Sequence, residues 1–402
     1  MKLQHVVSLE AFGLNCAPFS VSNMSAEQPI LLVGVGGAGC ALVGQLSNTM
    51  PPGIRTLAVD ADASSLASCG VADQVQIGRA VLRGLGAGGE AKMGASAAEA
   101  DLAELRRWVA GPAVVVFVTG LGGGVSGGAT SVLASLAAEA GAVVLGLVTL
   151  PFTHEGEHRQ SSARDALIAI NLKAHGVVVL RNDDLLQLVK PEAPATEMFA
   201  ETRRWMGSAL ESLSGFFAPG ALMPLDPGAL RALFPSLGCL TIFATGEGEG
   251  ATAVVSAARA ALASPLLPHG PEAVRIDHLL VQVIGGPSLT TGDCQAAVAL
   301  LRAELGGDRV TLLGARMDGA LEGKARVSLL GASPPAPPGK VKAVKGKRPS
   351  KAAIDASQQM FVFALEQNLR RGLFGGTEPT LFNGEDMDVP TYLRKGIRIQ
   401  PS

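Results

Sequence analysis

Five apolar runs punctuate the first half of the chain, at residues 30–33, 56–59, 114–118, 143–150 and 177–180, each rich in Val, Ile or Leu. Ala-rich stretches of helical length separate them. Apolar runs without alternation are the signature of strands buried on both faces, and regular interruption by helices is the pattern of a parallel sheet. This half therefore reads as a doubly wound α/β domain. Roughly between residues 197 and 217 the pattern becomes one long helix, followed by Pro219-Gly220 and a loop around Asp226. Four further runs, at 239–244, 279–284, 309–313 and 326–330, then surround two helical stretches near 251–263 and 293–305, which predicts a smaller α/β second domain.

Composition marks where the folded part ends. From Ser333 to Ser350 the chain turns to Pro, Gly and Lys, with Lys340, Lys342, Lys345, Lys347 and Arg348 and no acid, so no core can form there. The expected organisation is a disordered segment over 1–28, a nucleotide-binding domain over 29–195, a central helix over 196–220, a second domain over 221–332, a flexible and partly basic linker over 333–383, and a terminal motif over 384–402. In that motif Val389, Tyr392 and Leu393 are spaced apolar anchors between acids and bases, as in short segments made to be bound by another protein.

Charge and cysteine content narrow the classes. A net charge of −2 gives no general basic field for nucleic acid. No apolar run reaches the roughly 18 uncharged residues of a spanning helix, and the first 28 residues lack the features of a secretory leader. The five cysteines are scattered and odd in number, which fits a reducing cytoplasm.

Two glycine-rich segments carry the chemistry: Gly34-Val35-Gly36-Gly37-Ala38-Gly39, and the stretch from Gly120 to Gly128. Each follows an apolar run and precedes an amphipathic one. Glycine reaches φ > 0 cheaply and lets amides approach an anion, while the next helix adds the positive end of its dipole. The first segment satisfies the dinucleotide fingerprint, with Asp60 where a ribose-binding acid belongs. The second segment argues against that reading, because only a loop wrapping a longer phosphate chain needs so many glycines.

The chain resembles the FtsZ family of bacterial tubulin homologues from about residue 29 to 333 and again in the tail. The matching segments are residues 33–39, Ile77-Gly78-Arg79, Gly84-Leu85-Gly86-Ala87-Gly88, Gly122-Gly123-Gly124, Pro151-Phe152, Glu155-Gly156 with Arg159, Asn182-Asp183 with Leu185-Leu186, Ser264-Pro265-Leu266-Leu267 and Asp388-Val389-Pro390. The resemblance implies a tubulin-like fold and a cytoplasmic GTPase that polymerises head to tail at the division site. GTP or GDP would be the cofactor, with Mg2+ as an optional companion and no metal held by protein side chains. Asp388, Val389, Pro390, Tyr392 and Leu393 would engage membrane-tethering division proteins.

Carried over by position, the resemblance puts phosphate on the amides of Gly36, Gly37, Ala38, Gly39 and Cys40, with Ala41 following them, on the turn that ends at Gly88, and on Gly122, Gly123, Gly124, Val125, Ser126, Gly127 and Gly128. Glu155 and Arg159 would meet the ribose and phosphate side and Asn182 the base side, and Phe199 would stack on guanine. Plainer readings exist for each pair. Glu155 and Arg159 stand four apart and could form a helical ion pair worth a few tenths of a kcal/mol, and Phe199 could be core. His154 and His158 have no further ligand at metal-binding spacing.

Departures from the family pattern point to slow chemistry. The second loop lacks the family's two threonines, leaving Ser126 as the one hydroxyl, and Ala41 replaces an asparagine. Arg203 and Arg204 stand where the family has Asn-Asp, whose carboxylate pairs with guanine N–H groups. An arginine has donors and no acceptor. Either guanine selectivity is lost, or the helix register differs by three and Glu201 supplies the carboxylate. The family's loop that enters the next subunit carries two acids, whereas here the segment Pro224-Leu225-Asp226-Pro227-Gly228-Ala229 keeps one, Asp226, as the expected catalytic residue in trans. Two classes follow: a slow filament-forming GTPase, and a catalytically weak structural relative.

Overall fold

The computed structural model describes residues 30–47, 50, 54–84, 86–186, 189, 194–215, 222, 228–264, 267, 275–335, 381–382 and 385–386. Asp226, the segment 1–28 and the tail residues Asp388, Val389, Pro390, Tyr392 and Leu393 lie outside the described residues.

Six strands, β1 (Ile30–Val35), β2 (Ile54–Asp60), β3 (Asp73–Gln76), β4 (Val114–Gly120), β5 (Val143–Leu150) and β6 (Gly176–Arg181), form one parallel sheet in the order β3-β2-β1-β4-β5-β6. Successive strand residues face opposite sides. Leu31, Val33 and Val35 therefore join one core with Ala97, Leu105, Leu133 and Ile170, while Ile30 and Leu32 join another with Val43, Met206, Leu210 and Leu213. Both faces being apolar explains why the runs in the sequence do not alternate. β3 had no such run because it is an edge strand with Val75 as its one buried residue.

The helix α9 (Ala195–Gly215) crosses from this sheet to a second one. Its strands are β7 (Leu240–Glu249), β8 (Ile276–Gly285), β9 (Gly306–Met317) and β10 (Lys324–Ser333), in the order β7-β10-β8-β9, with β10 antiparallel to both neighbours and β8 parallel to β9. The helices α11 (Ala253–Leu262) and α12 (Thr291–Leu305) cover one face. On the other face Phe243, Leu280 and Leu330 continue the core that holds Met206 and Leu210 of α9. Above that apolar patch, Thr245 and Ser328 share a hydrogen bond of 3.0 Å and Ser328 donates to Ser212 of α9 at 2.9 Å, which satisfies buried hydroxyls across the junction.

β7 runs five residues beyond the predicted 239–244. Gly246 and Gly248 broke the apolar pattern, yet they belong to the strand. A Cβ on Gly246 would stand 2.3 Å from the Ala261 nitrogen, and one on Gly248 2.2 Å from the Ala253 oxygen, so both glycines let α11 lie directly on the strand.

Candidate nucleotide site

In the strand order β3-β2-β1-β4-β5-β6 the chain leaves β1 and β4 in opposite directions, and a crevice opens beyond their carboxyl ends. Two helices begin there, α1 (Gly36–Leu46) and α6 (Gly124–Glu139). Their first-turn amides have no helical acceptor and both dipoles end in the same crevice. Gly36 has φ of +71°, and a Cβ on it would stand 3.3 Å from the nitrogen and from the Cβ of Ser126. The two helix starts thus meet closely, and a side chain on Gly36 would be strained by its positive φ and would need Ser126 to give by a few tenths of an ångström. Gly37 and Ala38 are exposed at the mouth. This is an anion cradle built from amides, and a phosphate chain fits it chemically.

The remaining glycines of the first segment do different work. A Cβ on Gly39 would meet the Val118 oxygen at 2.2 Å, and one on Gly34 the Gly39 oxygen at 2.6 Å, so both seat α1 against the sheet. The Cys40 thiol is buried 3.4 Å from the Gly34 oxygen and 3.5 Å from the Val59 oxygen, and burial pushes its pKa far upward. That thiol is an inert core group. Ala41 is exposed on the next turn of α1.

The second segment is shorter as a loop than the glycine content suggested, because α6 begins at Gly124. Gly127 donates its amide to the Gly123 carbonyl at 3.1 Å, an ordinary helical bond. A Cβ on Gly128 would stand 1.9 Å from the Ala91 oxygen and 2.4 Å from the Ala95 nitrogen, and one on Gly127 2.9 Å from the Ala166 Cβ. These two glycines seat α4 (Ala91–Ala100) and α7 (Glu157–Asn171) against α6. The turn itself is Leu121 to Gly123, where Gly122 has φ of +98°. Ser126 accepts from the Gly123 amide at 3.1 Å and donates to the Gly123 carbonyl at 2.9 Å, so its hydroxyl caps its own helix. Val125 is buried beside it.

Gly88, with φ of +55°, is exposed on a turn whose end, Glu90, abuts the start of α6: a Cβ on Gly124 would lie 2.8 Å from both the nitrogen and the oxygen of Glu90. The turn is thereby brought to the second helix start. Glu155 lies in a 3-10 turn (Thr153–Glu155) ahead of α7; it accepts from the Phe152 amide at 2.8 Å and pairs with Arg159 at 3.1 Å. Arg159 lies across Gly122, whose Cβ would stand 2.7 Å from the Arg159 Cγ. The ion pair at helical spacing and the position beside the Gly122 turn are one arrangement.

On the far side, Asn182 opens α8 (Asn182–Leu185) and is buried; its Oδ1 accepts from the Thr202 hydroxyl at 3.3 Å. Phe199 is 49% exposed and stands edge-on to buried Phe152, with centroids 5.8 Å apart and an interplanar angle of 87°. It is therefore an exposed ring on a rigid support and no core residue. Arg204, like the packing glycines Gly39, Gly127 and Gly128, is a site candidate the structure leaves apart. It bonds Glu201 through Nε at 3.0 Å and lies over the Trp205 ring, and five residues of helix turn it about 140° from Phe199. Arg204 holds the Glu201 carboxyl below the usual range.

Asp60, considered in the sequence only for a dinucleotide, ends β2 with 4% exposure and accepts from the Ala61 amide at 2.7 Å. Burial raises its pKa. It lies 4.0 Å from the place of a Gly37 Cβ, under the start of α1. Among the described residues no group of three or more His, Cys, Asp and Glu side chains could hold a metal ion, and no helix is long and apolar enough to cross a membrane.

Comparison with known proteins agrees with this architecture. Residues 29–190 match the Tubulin/FtsZ family GTPase domain and residues 239–332 the FtsZ family C-terminal domain. The cell division protein FtsZ of Methanothermobacter thermautotrophicus is 31% identical over 306 residues, which cover 76% of this chain and 79% of that protein. Among solved structures, an empty FtsZ dimer from M. jannaschii superposes with a TM-score of 0.70 at 28% identity, covering 76% of this chain and 88% of that one. A GTPγS-bound protofilament of CetZ2 from Haloferax volcanii shares the fold, with a TM-score of 0.64 at 22% identity over 84% of this chain and 100% of that one. On the matched domains and the shared identity, the chain belongs to the FtsZ family.

Proposed function

We propose that this chain is a GTP-binding cell-division filament protein that polymerises head to tail and hydrolyses GTP slowly between subunits. The observation that supports it most is the meeting of two helix N-termini at Gly36 and Gly124, closed on one side by Arg159 over Gly122. In this reading the amides of Gly36, Gly37 and Ala38 and those of Gly122, Gly124, Val125 and Ser126 donate to phosphate oxygens. Arg159 supplies positive charge, the Gly88 turn closes the third side, and Phe199 stacks on the base. Mg2+ would be an optional companion of the phosphates, held by no protein side chain. The M. jannaschii dimer supports self-association here. We read residues 29–195, 196–220 and 221–332 as nucleotide domain, central helix and second domain, with 333–383 as a linker. The tail residues Asp388, Val389, Pro390, Tyr392 and Leu393 would dock membrane-tethering proteins at the division site.

Hydrolysis is assigned to Asp226 acting on the neighbouring subunit's nucleotide. One acid and a helix-capping Ser126 leave few groups to position water, and positioning dominates phosphoryl transfer. This favours slow turnover and keeps a structural filament as the second reading. Asp226→Asn is expected to preserve GTP affinity and stop turnover, while Arg159→Ala weakens affinity. Mixing the two variants at high GTP should restore part of the turnover, since an intact pocket then meets an intact loop. Unchanged turnover in Asp226→Asn contradicts the assignment.

A further inference from the structure

Beside Phe199 stands an exposed arginine, while the acids Glu155, Asp183, Asp184 and Glu201 are each engaged and Glu197, two residues before Phe199 on α9, lies about 160° around the helix from it. Glu155 accepts from the Phe152 amide and pairs with Arg159. Asp183 accepts from the Thr153 amide at 3.0 Å and from its hydroxyl, and Asp184 pairs with Arg181 at 3.6 Å. Glu201 is held by Arg204 and by the Trp205 indole N–H at 3.0 Å, on the side of α9 away from Phe199. The oxygen of Asn182 is engaged by Thr202. Arg203 falls one turn after Phe199 and about 40° around the helix from it. It is exposed and has no hydrogen-bond or ion-pair partner among the described residues.

We propose that Arg203 reads the base, so that the site takes 6-oxopurine nucleotides as a class and leaves the 2-amino group of guanine unread. The inference rests on the nucleotide reading of the site. A guanidinium offers donors only, and its fork matches the paired acceptors O6 and N7 of an oxopurine. Adenine presents an amino donor at the same place and is rejected. In this reading the N1–H and 2-amino donors of guanine meet none of the engaged carboxylates of Glu155, Asp183, Asp184 and Glu201, so removing the amino group, as in inosine, costs nothing. On this proposal Glu201, which faces away from Phe199, does not supply the carboxylate.

Displacement of a fluorescent guanine nucleotide from the full chain tests this with GTP, ITP and ATP. GTP and ITP should compete within about threefold of each other, and ATP about tenfold or more weaker, the discrimination expected of one bidentate arginine. Arg203→Ala should bring ATP to within about threefold of GTP, and Arg203→Asp, which restores an acceptor, should make GTP beat ITP about tenfold. In the natural chain, a tenfold preference for GTP over ITP, or equal competition by ATP, overturns the proposal while the nucleotide site stands. An unchanged GTP-to-ATP ratio in Arg203→Ala overturns it too. Binding of no nucleotide at all removes the site reading itself, and this inference with it.

Discussion

Arg159 lies across Gly122 so closely that a Cβ on the glycine would stand 2.7 Å from the Arg159 Cγ and 3.1 Å from its carbonyl oxygen. Gly122 also has φ of +98°, outside the comfortable range of any other residue. The turn at Gly122 and the Arg159 side chain are therefore one unit, proposed above as a phosphate turn and its counter-charge. Gly122→Ala should cost about 1–2 kcal/mol of stability from backbone strain and weaken GTP binding as much as Arg159→Ala does. The double variant should lose less affinity than the sum of the two, because both changes act through the same guanidinium. Full additivity in a binding titration would separate Arg159 from the turn.

Gly128 should behave in the opposite way. A Cβ there would sit 1.9 Å from the Ala91 oxygen, so Gly128→Ala must push α4 away from α6. A loss of about 1–3 kcal/mol or more is expected, seen as a lower melting temperature. The fraction that remains folded should bind GTP with unchanged affinity. Lost affinity without lost stability would return Gly128 to the phosphate site.

His175 is expected to make the fold sensitive to mild acid. Its amide donates to the Val144 oxygen at 2.8 Å, and its Nδ1 accepts from the Val144 amide at 3.1 Å, tying it to β5 as a neutral ring. Burial, with Arg231 nearby, lowers its pKa below the ordinary 6.5. The unfolded chain then takes up the proton first, so stability present above pH 6.5 is lost as pH falls toward the folded-state pKa. Melting temperature should drop as pH falls below 6.5, and His175→Gln should flatten that slope. An identical slope in both proteins would clear His175.

The parallel sheet was legible because strands buried on both faces leave continuous apolar runs, as at residues 114–118. β3 was not, since Val75 is its single buried residue. Glycine was the ambiguous letter. Gly36 and Gly122 are needed for positive φ, whereas Gly39 and Gly128 are needed because Val118 and Ala91 come close. Those partners are distant in sequence, so one dense cluster read as a loop when half of it was helix. The contrast between Arg203 and Arg204 was equally hidden: both replace family residues, and only the facing of α9 separates the one beside Phe199 from the one bound to Glu201.

In the proposed function, the crevice between α1 and α6 holds a guanine nucleotide that is turned over slowly in polymer. Freshly purified protein should be denatured and the released nucleotide identified and counted, with GTP hydrolysis and sedimentable polymer measured on the same preparation. About one GTP or GDP per chain, with slow turnover that rises as polymer forms, is the predicted result. A preparation that releases no nucleotide and binds none on addition of GTP would show that the crevice is no nucleotide site.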